Sequence, residues 1–356
     1  MTQAYINRVV TAVPPHDIQD IFLDFGRTQL RGDNRKLALF NRMAERSGIA
    51  HRFSVLPRPE GRDGALDAEG LYRPGHFPGT AARMQMYERS APALAAEAVE
   101  RLLDGQDRGR ITHLVVTSCT GLSAPGLDLD LVARCGLKGG IERSFIGFMG
   151  CYAAINALKL ARHIVRSEPD ARVLAVNLEL CTLHLKETNR LEEMLSFLLW
   201  GDGCAAALIS ADPHGLAMDS FHAALVPETR ELMRWQIREQ GFDMVLSGAV
   251  PAAIHGALAH AGKDILHGRS PDEIALWAVH PGGRTVLDAV EQAFELAPEE
   301  LSASRRILHD YGNMSSGTVM FVLERLMRQA PAGAPGCAMA FGPGLVAETM
   351  QFHMAA

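Results

Sequence analysis

The stretch Phe145-Ile-Gly-Phe-Met-Gly-Cys-Tyr-Ala-Ala-Ile-Asn-Ala-Leu-Lys-Leu-Ala-Arg162 changes period in its middle. Residues 145–149 form an apolar run, the pattern of a buried strand. From Cys151 onward the pattern becomes amphipathic with helical spacing. A strand that passes through Gly150 into a helix makes an elbow, and Cys151 stands on it. Free backbone N–H groups and the positive end of a helix dipole converge there. That favours thiolate over thiol, and the thiolate is the nucleophile.

Further along the chain, strands are expected at residues 111–117, 173–177, 204–210, 274–279 and 338–341. Helical spacing appears at 84–104, 151–166, 190–199, 285–296 and 316–328. Strands alternating with helices predict an α/β fold with a mostly parallel, well-buried sheet. Residues 55–80 are rich in Pro, Gly and charge and read as an exposed loop. Asp212-Pro-His-Gly215 reads as a turn and a seam. It divides the chain into residues 1–213, with the cysteine, and 214–356, with the two residues discussed next.

His280 follows an apolar strand in Val-His-Pro-Gly-Gly, at the strand end where α/β folds place their sites. Asn313 lies in Tyr-Gly-Asn-Met-Ser-Ser-Gly. Acyl-thioester chemistry needs a nucleophilic sulfur, a group that keeps it ionised, and donors for the oxyanion or enolate that follows. Cys151 fits the first role and an imidazolium at His280 the second. The Asn313 amide donates to a developing negative oxygen without titrating. Gly282, Gly283, Gly312 and Gly317 let backbone approach a ligand closely. Each motif alone is weak. The three together, each at an elbow, make the reading.

The bulk composition is compatible with this. The chain has 356 residues, 47% hydrophobic and 21% charged, with a formal net charge of −6. Net negative charge argues against a general nucleic-acid binder. The apolar runs are too short and broken for a membrane span. The N-terminus lacks a signal-peptide layout, and the scattered cysteines read as reduced thiols. A cytoplasmic protein is therefore expected. Neither His nor Cys spacing indicates a metal centre.

The chain resembles the type III polyketide synthases, the chalcone-synthase-like branch of the thiolase superfamily, from about residue 37 to 349. The resemblance rests on Ile111-Thr-His-Leu-Val-Val, Ala124-Pro-Gly126, Gly150-Cys151, Trp200-Gly-Asp-Gly203, His280-Pro-Gly-Gly283, Gly312-Asn-Met-Ser-Ser-Gly317 and Phe341-Gly-Pro-Gly344. It is closest in style to bacterial alkylpyrone and alkylresorcinol synthases, which Glu179-Leu-Cys-Thr-Leu-His184 resembles. The resemblance implies a thiolase fold, two related α/β halves in a five-layered αβαβα arrangement, and a homodimer. It implies an acyltransferase that loads a starter from acyl-CoA onto Cys151 and extends it repeatedly with malonyl-CoA. His280 and Asn313 would stabilise the enolate and oxyanion. Cyclisation would give a pyrone or a resorcinol- or phloroglucinol-type product, with no metal or redox cofactor.

The same resemblance implies substrate-shaping roles for Cys119, Thr120, Cys181, Trp200, Met244 and Ser315. It implies coenzyme A contacts at Arg42, Arg46, Gly282 and Gly283. Trp200 replaces the usual Phe of the malonyl gate, and Leu39 replaces a third basic residue. Trp235 would cap one arm of the cavity. Small residues at Ala124 and Cys181 favour a fatty-acyl starter. Rival readings are a ketoacyl-carrier-protein synthase making one condensation, a thiolase using Cys337 as second cysteine, and a non-catalytic acyl-CoA binder. Retention of the Cys, His and Asn counts against the last.

Overall fold

The computed structural model describes residues 2–61 and 64–356. In chain order the strands are β1 (Tyr5–Ala12), β2 (His16–Asp17), β3 (Phe53–Ser54), β4 (His113–Ser118), β5 (Glu142–Gly147), β6 (Val173–Leu180), β7 (Asp202–Ser210), β8 (Leu216–Leu225), β9 (Met233–Arg238), β10 (Gly241–Leu246), β11 (Leu276–Val279), β12 (Pro335–Gly342) and β13 (Val346–Met354). The helices are α1 (Gln19–Gln29), α2 (Asn34–Ser47), α3 (Thr80–Leu102), α4 (Leu127–Arg134), α5 (Ala153–Ser167), α6 (Leu191–Phe197), α7 (Val250–Ile265), α8 (Arg284–Phe294), α9 (Ser302–Tyr311) and α10 (Thr318–Met327).

Nine strands form one sheet in the order β11-β12-β13-β8-β1-β7-β6-β4-β5. The pairs β4/β5, β4/β6 and β11/β12 are parallel. The others are antiparallel, so the sheet is mixed rather than mostly parallel. The reason is burial. Every residue of β7 is buried, and a strand covered on both faces reads as one apolar run whichever way its neighbours point.

β1 and β8 pair only at Tyr5↔Ala217 and Ile6↔Leu216. That narrow seam separates two half-sheets with the same plan. In β4-β6-β7-β1 a parallel pair is followed by two antiparallel ones, and β11-β12-β13-β8 repeats it. Alternating side chains then build the layers. Leu114, Val116, Leu174 and Val176 face outward to α3, through Leu94, Ala95, Ala98 and Val99. Val115, Val173 and Ala175 face inward to α5 and α10. On the second half-sheet Ala278, Ala338 and Ala340 face the same two helices. Trp277, Val279, Cys337 and Met339 face outward to α7 and α8. The result is the expected αβαβα arrangement. A helix between two sheets has no free side, and α5 meets them with Ala154, Ala157, Leu158 and Ala161. Alanine lets backbones approach closely without breaking the helix.

Residues 55–80 are irregular but not simply exposed. Leu56, Asp67 and Tyr72 are buried, and Asp67 accepts hydrogen bonds from the Leu71 and Tyr72 amides. Positions 62 and 63 of that stretch lie outside the described residues. Cys337 is a fully buried side chain of β12, a packed thiol rather than a second catalytic cysteine.

Candidate active site

The elbow after β5 is tighter than a strand running into a helix. Gly150–Tyr152 form a short 3-10 turn before α5 begins. Gly150 has φ +72°, and a Cβ there would lie 2.3 Å from Pro343 Cδ. Both facts exclude larger residues. Phe148 (φ +56°) and Ser315 (φ +46°) are non-glycine residues in the left-handed region near the same sulfur. Such strain gathers where packing over-determines the backbone, commonly at functional sites.

Cys151, His280, Asn313 and Ser315 line one cavity. His280 leaves the end of β11, its amide donating to the Met339 carbonyl. Asn313 follows α9 through Gly312, where φ is +69° and a Cβ would lie 2.6 Å from the Leu199 carbonyl. The Asn313 backbone is fixed between Leu199 and Gly201 by amide–carbonyl bonds of 2.7 and 3.0 Å. Its side-chain Oδ1 accepts the Ser315 amide at 2.8 Å, and Nδ2 donates to the Gly282 carbonyl at 3.2 Å. An amide NH₂ has two hydrogens, so one remains for a ligand oxygen.

Cys151 Sγ lies 3.9 Å from Ser315 Oγ. Among the described residues, neither ring nitrogen of His280 has a hydrogen-bond partner. Burial pushes the Cys151 thiol up to about 12, and Ser315 pulls against that. Burial pushes the His280 imidazole down to about 3. Both shifts express the cost of one lone charge in a dry cavity. A charge on either group alone is therefore disfavoured in this cavity.

Cys119, Thr120, Cys181, Trp200 and Met244 also line the cavity, as does Trp235. The Thr120 hydroxyl is committed to the wall: it donates to Glu179 and accepts from the Leu180 amide, both at 2.8 Å. Cys119 Sγ accepts the Gly150 amide at 3.1 Å. Burial drives the Cys119 and Cys181 thiols well up, the nearby Glu179 carboxylate adding to it. They are neutral wall residues.

A second cavity begins where the first ends, and both are lined by Cys181 and Trp200. Its other walls include Ile18, Ile21, Phe22, Leu56, Leu66, Leu185 and Phe197. A surface groove opens on the other side, sharing Leu246, Gly282 and Val286 with the first cavity. Arg46, Gly282 and Gly283 line this groove, whereas Arg42 does not. Arg42, also on α2, is exposed. Arg284, overlooked in the sequence, does line it.

Glu179 was also missed. Buried in β6, it accepts from the Cys119 amide, Thr120 Oγ1 and Ser316 Oγ. A signal existed: Asn177 and Glu179 are alternate polar residues in an otherwise apolar run. At the opposite end of β4, His113 Nε2 lies 3.5 Å from Glu142 and 4.0 Å from Glu168, the one group with metal-compatible spacing among the described residues.

Both halves match family models. Residues 4–213 match the N-terminal domain of chalcone and stilbene synthases, and residues 217–355 match the C-terminal domain. The chain is 32% identical over 375 aligned positions to bisdemethoxycurcumin synthase of Oryza sativa subsp. japonica, covering 98% of this chain and 92% of that protein. It is 32% identical over 286 positions to the alpha-pyrone synthesis polyketide synthase-like Pks18 of Mycobacterium tuberculosis, covering 76% and 73%. PKS-I of the brown alga Ectocarpus siliculosus superposes with a TM-score of 0.89 at 27% identity, over 99% of both chains. The fold and site define a thiolase-type acyltransferase. The chain belongs to the chalcone and stilbene synthase family, the type III polyketide synthases.

Proposed function

We propose that this enzyme condenses malonyl-CoA repeatedly onto a fatty-acyl starter held on Cys151, and releases a pyrone or a resorcinol- or phloroglucinol-type ring. The observation that carries the starter assignment is the second, mainly apolar cavity reached past the small side chain of Cys181. An alkyl chain there leaves its thioester carbonyl beside Cys151.

Loading begins when the Cys151 proton passes to His280. This makes both charges together, so their attraction offsets the desolvation that opposes either alone. The thiolate attacks the acyl-CoA carbonyl, and coenzyme A leaves as the thiol, taking that proton. Malonyl-CoA then enters by the groove that holds Arg46, Gly282 and Gly283. It loses CO₂, and the electron pair stays as a thioester enolate. His280 and the free Asn313 N–H stabilise its oxygen. The enolate carbon attacks the acyl-Cys151 carbonyl, and the Cys151 thiolate departs. The lengthened β-ketoacyl-CoA reloads onto that thiolate, coenzyme A leaving and taking a proton from water; ring closure ends the cycle, for a pyrone by attack of an enol oxygen on the thioester carbonyl, the thiol leaving with the enol proton. None of these steps needs a redox cofactor or a metal.

A homodimer belongs to the same reading. β5 is an edge strand that carries exposed Phe145, and Leu122 and Leu129 are exposed as well. A second copy would cover them.

The test is product mass analysis with malonyl-CoA and starters from butanoyl-CoA to octadecanoyl-CoA, without carrier protein. Multiply extended products, best with long chains, are expected. Preference for short or aromatic starters would overturn the fatty-acyl assignment. A single condensation would overturn iteration.

A further inference from the structure

Resting on that reading, we propose that His184 is a positioning residue that sets how many extensions the Cys151 chamber permits. It does so by clamping the β9–β10 hairpin against the end of β4. His184 is buried and does not line the chamber. Its Nδ1 accepts the Phe242 amide at 3.1 Å, and Nε2–H donates to the Thr120 carbonyl at 2.7 Å. An amide can only donate and a carbonyl only accept, so one neutral tautomer satisfies both.

The rings reinforce the clamp. Phe242 stacks on the imidazole, centroids 4.1 Å apart and planes 16° apart. Trp235 meets His184 edge-on at 5.3 Å and Phe242 at 5.7 Å. The Trp235 indole N–H closes the loop on the Cys119 carbonyl at 2.7 Å. The hairpin thus touches the catalytic wall at two consecutive residues, Cys119 and Thr120, once directly and once through His184.

That hairpin forms one side of the chamber. Met233, Trp235, Met244 and Leu246 line it, and the register pairs Trp235 with Met244 and Met233 with Leu246. The distance from hairpin to β4 is therefore the width left for a growing chain. Burial and the nearby cations Arg83 and Lys186 hold the imidazole neutral, its pKa down at about 3. The acceptor for Phe242 thus persists at any working pH.

The experiment compares wild type with His184→Leu, which loses both hydrogen bonds, and His184→Asn, which keeps an acceptor near Nδ1. Three quantities are read: the ratio of longer to shorter products, single-turnover acylation of Cys151, and amide exchange of the segment carrying Phe242. For His184→Leu, exchange and product ratio should each change by roughly fivefold or more, the scale of one hydrogen bond, with acylation within about twofold. His184→Asn should return both toward wild type.

An unchanged product ratio in folded His184→Leu overturns the proposal. So does equal slowing of acylation and extension at constant ratio, the mark of a merely structural residue. If His184→Leu does not fold, Phe242→Leu, which removes the ring stacked on the imidazole and keeps both hydrogen bonds, tests the clamp by the same three readouts with a smaller expected shift. A wild-type enzyme that makes no multiply extended product overturns the functional reading. The exchange measurement, which needs no turnover, still decides whether His184 anchors the hairpin.

Discussion

The two joined cavities are built alike and used differently. Each has a buried carboxylate behind its wall. Glu179 ties together Cys119, Thr120 and Ser316 around the Cys151 chamber. Asp202 ties the Val55 and Thr182 amides and the Thr182 hydroxyl around the second cavity. The first chamber adds a thiol, an imidazole and an amide with a spare hydrogen. The second adds mainly aliphatic and aromatic surface. Under the function proposed above, the chemistry belongs to the first and the starter chain to the second. The class of reaction and the identity of the starter can therefore vary independently.

The comparison breaks most sharply at His280. If proton transfer within the site makes the thiolate, His280→Ala leaves the buried Cys151 thiol without its base. Iodoacetamide capture of Cys151 at neutral pH should then fall by about 10²–10⁴-fold, the usual worth of a positioned general base. The rate should climb steadily with pH instead of levelling. An identical pH profile in both proteins would remove His280 from that role.

Asn313→Ala removes the amide donor. Malonyl-CoA decarboxylation should drop about 10²–10³-fold, the usual effect of losing one such donor. Acylation of Cys151 should suffer less. Undiminished CO₂ release would separate Asn313 from the enolate.

Cys181→Phe addresses the doorway between the cavities. An aromatic ring there should lower kcat/KM for hexadecanoyl-CoA about 100-fold relative to butanoyl-CoA, the scale on which hydrophobic pockets discriminate size. Equal losses for both starters would place the long chain elsewhere.

The smallest effect concerns the brace of the second cavity. Burial raises Asp202 to about 6, above its ordinary 3.8, although the Thr182 and Val55 amides resist this. The native protein thus binds more protons than the unfolded chain between about pH 4 and pH 6. Stability from this group is present below that window and is lost as pH rises through it. The stability of wild type relative to Asp202→Asn should fall by about 1–3 kcal/mol across that range and be flat above it. Denaturant titrations at several pH values would show it, and a constant difference would refute it.

Sequence patterns revealed many of the strands and helices because each buried strand and amphipathic helix carries its own period, whereas the layers followed from the family resemblance. Cys151, His280 and Asn313 were legible because each sits at a glycine-rich elbow that packing alone does not require. Strand direction was not legible, since burial on both faces erases the alternation that marks an antiparallel strand. His184, Glu179 and Arg284 were missed for another reason. Their roles depend on what lies across the fold: the Phe242 amide for His184, Ser316 for Glu179, and the groove beside Arg46 for Arg284. Four-residue spacing places Arg42 and Arg46 on one helix face without saying what that face meets, and of the two Arg46 lines the groove.

The placement of α5 also orders events during synthesis. The Cys151 elbow that leads into it is translated long before Ala338, Ala340 and Pro343, which press on the helix and on Gly150. A nascent chain that has passed β7 holds the nucleophile but only one of the two half-sheets. The thiol thus gains its full setting only once the residues around Pro343 have been made.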